Sequence, residues 1–215
     1  VVVAAGSGAR FGGRKQFARL AGRPVAAWSL DAARATCDGV VLVVPAAPGA
    51  EPLPDLGELG PVDAVVTGGA TRSASVRAGL AAVPAAAAVI AVHDAARPLA
   101  GPALWRAVLA AVRAGADGAV PVVAVADTIR RVEADGAMHA VDRASLRSVQ
   151  TPQAFRAAAI RAAHAGGDEA TDDATLVEAG GGRVVLVAGH AANAKITGPS
   201  DLTVAAALLP EVLRP

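Results

Sequence analysis

Val1-Val2-Val3-Ala4-Ala5-Gly6-Ser7-Gly8-Ala9-Arg10-Phe11-Gly12-Gly13-Arg14-Lys15-Gln16-Phe17 is the stretch on which the reading of this chain turns. A β-branched run ends in small residues. A glycine-rich loop follows, carrying three cationic side chains, Arg10, Arg14 and Lys15. A strand leading into such a loop brings backbone N–H groups against phosphates. Glycine serves there because a Cβ blocks close approach and positive φ is costly for other residues. On spacing alone, a tight strand-to-helix turn beside solvated charges accounts for the same residues.

Outward from that loop, β-type runs alternate with helical ones. The pattern predicts an α/β fold with a mostly parallel sheet covered by helices on both faces. Strands are expected at Val1–Ala4, Gly39–Val44, Ala64–Thr67, Val89–His93, Gly118–Val123 and Arg183–Val187. Helices are expected at Pro24–Thr36, Arg72–Val83, Pro102–Arg113, Phe155–Ala165, Asp172–Ala179 and Pro199–Leu209. The Pro- and Gly-rich segment Pro45–Pro61 reads as a loop with at most a broken helix. The alternation breaks at Asp127–Val132 and Met138–Asp142, two short β-type runs flanking an Asp-Gly turn. That is a strong hairpin signal. An unpaired arm of this kind invites edge pairing, so it is expected to meet a partner chain. No linker separates two cores, so residues 1–215 read as one domain with an arm at about 124–147.

Composition narrows the function. Hydrophobic residues make up 53% of the chain and aromatics only 2%, so the core must be Ala, Val and Leu. A formal net charge of +1 argues against a nucleic-acid partner, which needs a concentrated basic surface. The single cysteine, Cys37, excludes a disulfide framework and a cysteine cage for metal. No run approaches the roughly 18–20 apolar residues of a membrane span. No basic segment precedes an apolar one as in a secretory signal, so the expected location is the cytoplasm. Of the 20 Lys and Arg residues only Lys15 and Lys195 are lysine, and 18 are arginine. Lysines retained against such a bias mark places where a compact ammonium is needed, and a point charge of that kind is a common phosphate ligand.

Chemistry-bearing residues cluster where strands should end, the ligand edge of an open α/β sheet. Besides the opening loop there is Gly68-Gly69-Ala70-Thr71-Arg72-Ser73-Ala74-Ser75, a glycine pair leading into a helix. It suits a planar ring lying against backbone, or equally an ordinary capped loop. His93-Asp94-Ala95-Ala96-Arg97-Pro98 puts Asp94 at a buried strand tip, where it suits Mg²⁺ or a ribose hydroxyl. Arg97 suits phosphate, whereas His93 reads as a satisfied structural histidine. Thr151 in Val149-Gln150-Thr151-Pro152-Gln153 is either a phosphate donor or part of a Thr-Pro turn. Thr171-Asp172-Asp173 reads as a capped helix start. Asn193-Ala194-Lys195-Ile196-Thr197 carries the second lysine.

Two rival motifs fail. Gly6-Ser7-Gly8-Ala9-Arg10-Phe11 lacks the third glycine of a dinucleotide fingerprint, and no acidic residue ends the second strand near Val44. No Gly-Lys-Ser/Thr follows the glycines, so this is not a Walker loop.

With the clusters in order, the chain resembles the 2-C-methyl-D-erythritol 4-phosphate cytidylyltransferases of the non-mevalonate isoprenoid pathway. The matching motifs run nearly its whole length: Ala4-Ala5-Gly6-x-Gly8-x-Arg10-Phe11, Lys15-Gln16-Phe17, Gly68-Gly69-x-x-Arg72-x-x-Ser75-Val76, His93-Asp94-Ala95-Ala96-Arg97-Pro98, Asp127-Thr128, Val141-Asp142-Arg143, Thr151-Pro152-Gln153, Thr171-Asp172-Asp173 and Asn193-x-Lys195-Ile196-Thr197. The resemblance implies a Rossmann-like fold of the nucleotide-diphospho-sugar transferase type. It also implies a homodimer joined through the arm, and Mg²⁺-dependent transfer of CMP from CTP to methylerythritol phosphate with release of pyrophosphate.

By that likeness Ala4, Ala5, Gly6, Ser7, Gly8, Gly69, Ser75 and Ala95 cradle cytidine. Arg10 and Lys15 grip the triphosphate, and Asp94 and Lys195 complete the catalytic set. Arg97, Thr128, Thr151 and Arg143 bind the substrate phosphate, Arg143 from the other subunit. Mg²⁺ is expected to be held mainly by CTP phosphates, without direct ligation by the protein. Val3 stands where the family usually has proline, Ala70 where an acidic residue is common, and Ala194 where a larger aliphatic precedes the lysine. A cytidylyltransferase for another polyol phosphate, such as ribitol 5-phosphate, and a non-catalytic CTP-binding module are the alternatives.

Overall fold

The computed structural model describes residues 1–46 and 55–212. After β1 (Val2–Val3) the chain makes a small hairpin, β2 (Arg19–Leu20) and β3 (Arg23–Pro24), and enters helix α1 (Val25–Arg34). Then β4 (Val41–Val44), β5 (Ala64–Thr67), α2 (Arg72–Ala82), β6 (Val89–Asp94), α3 (Pro102–Arg113) and β7 (Gly118–Ala124) follow. The second half holds β8 (Ile129–Val132), β9 (Met138–Val141), β10 (Arg147–Val149), β11 (Gln153–Arg156), α4 (Ala157–Ala165), α5 (Asp173–Ala179), β12 (Val184–Ala188) and α6 (Ser200–Val212). Residues 47–54 of the expected Pro45–Pro61 loop lie outside the described residues, and Leu56–Leu59 forms a single 3₁₀ turn.

Among the described residues eight strands make one sheet in the order β10-β7-β11-β6-β1-β4-β5, with β12 paired to β7. The β6-β1-β4-β5 run and the β12–β7 pair are parallel. All four residues of β4 are buried, as expected of a strand covered on both faces. One face is packed by α1 and α3 around Leu30, Trp105 and Val108. The other is packed around Val76, Phe155 and Ile160 beneath α2, α4 and α5. Helix α6 closes a smaller cluster with Leu20, Leu99 and Ile196.

Phe155–Ala165 departs from its expected single helix. Gln153–Arg156 is strand β11, antiparallel to both β6 and β7, and α4 begins only at Ala157. Alanine on either side hides the change of period. What decides it is the slot for Phe155: its ring lies against Gly118, where an added Cβ would come within 2.7 Å of it. Pairing on two edges outweighs a weak local helix preference. The strands β2, β3 and β10 likewise carry no periodic signal that would have announced them.

The arm is a hairpin, with Ile129 opposite Val141 and Val132 opposite Met138. Gly136 takes the left-handed φ of +86° that the Asp-Gly turn requires. The hairpin pairs only with itself among the described residues, and Val132 and Met138 are 64% and 61% exposed. No helix among the described residues is long and apolar enough to cross a membrane.

From β1 the sheet winds one way to β4 and β5 and the other way to β6. The carboxyl ends of β1 and β6 therefore flank the crevice that a change of winding direction opens.

Candidate active site

The opening loop leaves β1 at Ala4, whose N–H still bonds the Val43 carbonyl at 2.8 Å. From Ala5 to Arg10, no backbone N–H has an acceptor among the described residues. The chain then curls back, Phe11 and Gly12 donating to the Gly8 carbonyl at 2.8 and 3.2 Å. Gly8 has φ +70°, and a Cβ there would lie 1.8 Å from the Gly13 carbonyl oxygen. Buried Gln16 fixes the loop from beneath, its Nε2 donating to the Ala4 and Gly6 carbonyls at 2.6 and 2.9 Å. The loop does not run straight into α1. It ends in the 3₁₀ turn Lys15–Phe17, so Gln16 seats the turn that carries Lys15.

The second wall is the β5–α2 turn. A Cβ on Gly68 would sit 2.5 Å from the Ala5 Cβ and 2.7 Å from the Ser75 hydroxyl, so the two loops touch here. The Gly69 N–H donates to Ser75 Oγ at 3.2 Å, and Ser75 donates to the Thr71 carbonyl at 2.8 Å. Thr71 caps α2 by accepting the Ala74 N–H. Ser75 thus fastens the glycine pair to the helix.

Asp94 ends β6 and is buried. Its Oδ2 meets Lys195 Nζ at 2.5 Å and its Oδ1 meets Arg72 Nε at 3.3 Å. Burial pushes this carboxyl up, but the charges of Arg72 and Lys195 outweigh it and hold the group well below the usual carboxylate range. Burial lowers the Lys15 pKa, and the neighbouring Lys195 and Arg10 charges lower it further. These cations crowd one another, an arrangement that favours an anionic occupant.

Behind Asp94, His93 is wholly buried and its pKa is pushed down to about 3 by that burial. A neutral ring satisfies every neighbour: Nε2 donates to the Arg97 carbonyl at 3.2 Å, and Nδ1 accepts from the Thr151 hydroxyl at 3.0 Å. The Thr151 oxygen accepts the Asp94 N–H at 3.1 Å.

A cleft of about 480 Å³ opens between the two walls. It brings together Ala4, Ala5, Gly6, Ser7, Gly8, Arg10, Lys15, Gly69, Ser75, Asp94 and Lys195. Five other residues implicated by the resemblance do not line it. Ala95 is fully buried, its N–H bonded to the Val3 carbonyl, and Ala96 takes its place in the lining. Thr151, expected to donate to phosphate, spends its hydroxyl proton on His93. Arg97 turns its guanidinium onto the Asn193 carbonyl at 2.7 Å and the Val149 carbonyl at 3.4 Å. Thr128 and Arg143 sit exposed at the base of the arm, Arg143 donating to the Ala126 carbonyl. Three residues that matter were given no role by the sequence reading: Gln16, Arg72 and Ala96. All three stand inside the matching motifs, which was the only available signal.

Chemically the cleft presents free amides and, among the described residues, four cations, Arg10, Lys15, Arg72 and Lys195. Among the described residues it holds no nucleophile–base pair. Asp94 is held ionised by two cations, His93 is buried and neutral, and no group of three His, Cys, Asp or Glu side chains that could hold a metal occurs among the described residues. The site is built to bind and neutralise a polyanion.

The family described as IspD, 2-C-methyl-D-erythritol 4-phosphate cytidylyltransferase, matches residues 1–211. The 2-C-methyl-D-erythritol 4-phosphate cytidylyltransferase of Nocardia farcinica is 44% identical over 214 residues, spanning 97% of this chain and 92% of that protein. The bifunctional enzyme IspD/IspF of Caulobacter vibrioides is 45% identical over 212 residues, 95% of this chain but 55% of its own length. The crystal structure of the cytidylyltransferase from Thermus thermophilus superposes with a TM-score of 0.79 at 40% identity, covering 97% of both chains.

Proposed function

This chain belongs to the 2-C-methyl-D-erythritol 4-phosphate cytidylyltransferase family, and from that premise we propose how its cleft performs the transfer. The enzyme moves CMP from CTP to 2-C-methyl-D-erythritol 4-phosphate and releases pyrophosphate, a step in isoprenoid precursor synthesis. The observation that carries the reading is the convergence of the glycine loop, the Gly69–Ser75 turn, Asp94 and Lys195 on one cleft.

Cytidine lies along Ala4–Gly8 and against Gly69, where small side chains or none let a ring approach backbone. The free amides of Ala5–Arg10, with Arg10 and Lys15, take the triphosphate. A phosphate oxygen of methylerythritol phosphate attacks the α-phosphorus and forms a new P–O bond. The bond to the β-phosphate breaks, and pyrophosphate leaves with its electron pair. The attacking phosphate monoester is already ionised near neutral pH, so no general base is required. What opposes reaction is charge: one anion must approach another. Lys195, tethered by Asp94, sits with Lys15 where that charge builds up. Catalysis is positioning plus neutralisation.

Among the described residues Asp94 is the one carboxylate lining the cleft, and both its oxygens already meet cations. Mg²⁺ would therefore enter as a companion of the triphosphate, with Asp94 the carboxylate beside it. When bound it adds charge neutralisation for the departing pyrophosphate.

We extend the reading to a homodimer. The arm has no strand partner beyond itself among the described residues, and its apolar Val132 and Met138 are exposed. Thr128 and Arg143 at its base reach the substrate phosphate in the cleft of a second copy. In the same reading the chain is one domain plus this arm, the enzyme is cytoplasmic, and neither nucleic acid nor membrane is a partner. Pyrophosphate release with CTP, Mg²⁺ and each polyol phosphate tests the assignment. Release only with methylerythritol phosphate is expected; preference for ribitol 5-phosphate overturns the substrate, and no release with either leaves only a CTP-binding module.

A further inference from the structure

Asp173 is fully buried yet lies outside the cleft. It opens α5 one residue after Asp172, which already caps the helix by accepting the Thr175 N–H at 3.1 Å. The cap needs no second carboxylate, and a buried carboxylate costs several kcal/mol unless its oxygens are paired. Both are paired: Oδ1 accepts from His164 Nε2 at 3.0 Å and Oδ2 from Arg72 Nη2 at 2.9 Å. Arg72 passes Nε to Asp94 Oδ1, and Asp94 Oδ2 holds Lys195. One chain of contacts thus leads from a buried aspartate to the lysine at the reacting phosphorus.

The geometry of Arg72 gives that chain a purpose. Nε and Nη2 form a single edge of the guanidinium, the edge that commonly grips both oxygens of one carboxylate. Here the edge is split, one nitrogen to each aspartate. The split leaves the second oxygen of Asp94 to Lys195.

We propose that Asp173 is a positioning residue for the transfer reaction: by occupying Nη2 of Arg72 it prevents bidentate capture of Asp94 and keeps Lys195 tethered at the cleft. With Asp173 neutral, Arg72 turns its whole edge onto Asp94, and the lysine loses its anchor. This rests on the role given to Lys195 above.

The test is Asp173→Asn, made alone and in a Lys195→Ala background, with kcat and KM from pyrophosphate release and Tm from thermal unfolding. A displacement of about 1 Å can cost about 10²-fold, so the single variant should lose roughly 10- to 100-fold in kcat, with KM for CTP within about threefold. In the Lys195→Ala background the same change should cost less than about twofold, because the effect travels through the missing lysine. A kcat equal to wild type, or the same fold-loss in both backgrounds, overturns the proposal, the latter marking a merely structural aspartate. If Asp173→Asn does not fold, Arg72→Lys decides, since a lysine keeps the charge but has no rigid planar edge with two nitrogens spaced to reach Asp94 and Asp173 separately. Loss in kcat that vanishes in the Lys195→Ala background supports the proposal; no loss, or a multiplying loss, overturns it. A wild-type enzyme that releases no pyrophosphate refutes the activity itself, before any variant is compared.

Discussion

Lys195→Ala should divide binding from chemistry. The Lys195 side chain is 39% exposed, so after solvent screening its pair with Asp94 is worth at most about 1 kcal/mol. Asp94 also keeps Arg72 at 3.3 Å, so the carboxylate is not left alone. In a domain of this size such a loss lowers Tm by about 2–4 °C. The kinetic loss is of another order. Removing one preorganised group aimed at developing charge costs about 10²–10³ in kcat, or about 2.7–4 kcal/mol. In the proposed reading Arg10, Lys15 and the loop amides keep the triphosphate, so CTP affinity should fall less than about fivefold, the pattern of an interaction made mainly in the transition state. Steady-state pyrophosphate release gives kcat, calorimetry gives the CTP affinity, and thermal unfolding gives Tm. Equal losses in kcat and CTP affinity would mean that the lysine binds ground-state triphosphate. A Tm drop of about 10 °C, several times that expected from its screened ion pair, would mean that it is a structural strut.

Gly8→Ala should cost CTP binding at least about tenfold and lower Tm by several degrees, because a left-handed φ and a collision with the Gly13 carbonyl both act against it; calorimetry and thermal unfolding check this, and an unchanged affinity would refute the cradle. Mixing Arg143→Ala with Lys195→Ala subunits should restore activity above either variant alone, because one hybrid site then has both an intact Lys195 and the partner's intact Arg143. No recovery in an assembled mixture would refute the shared site. His93 supplies a pH prediction: its folded pKa of about 3 lies below the ordinary 6.5, so its contribution to stability is complete above pH 6.5 and is lost as pH falls toward 3. His93→Gln should remove that part of the slope in urea midpoints over this window, and an identical slope would place the proton uptake elsewhere.

The alternation of runs, the hairpin and the ligand edge of the sheet were legible from residue periodicity, since buried parallel strands and amphipathic helices write their surroundings into composition. That Arg10, Lys15, Asp94 and Lys195 gather in one cleft was legible because each stands by a glycine turn or a strand end on the ligand edge of the sheet. Strand β11 was not, because it is fixed by neighbours on both edges, 89–92 and 118–119, far away in sequence. The split between Asp172 and Asp173 was not legible either: adjacent aspartates read alike as a helix start, and only packing turns one to the cap and the other toward Arg72. Thr151 and Ala95 show the same limit from the other side, motif positions whose groups the fold uses inward. The sequence by itself determined which chemical groups exist and near which strand end each stands, because both follow from local pattern. Which of them face the cleft, and which instead hold the others in place, was decided only by tertiary structure, because a side chain's partners are set by contacts between elements that the chain brings together from a hundred residues apart.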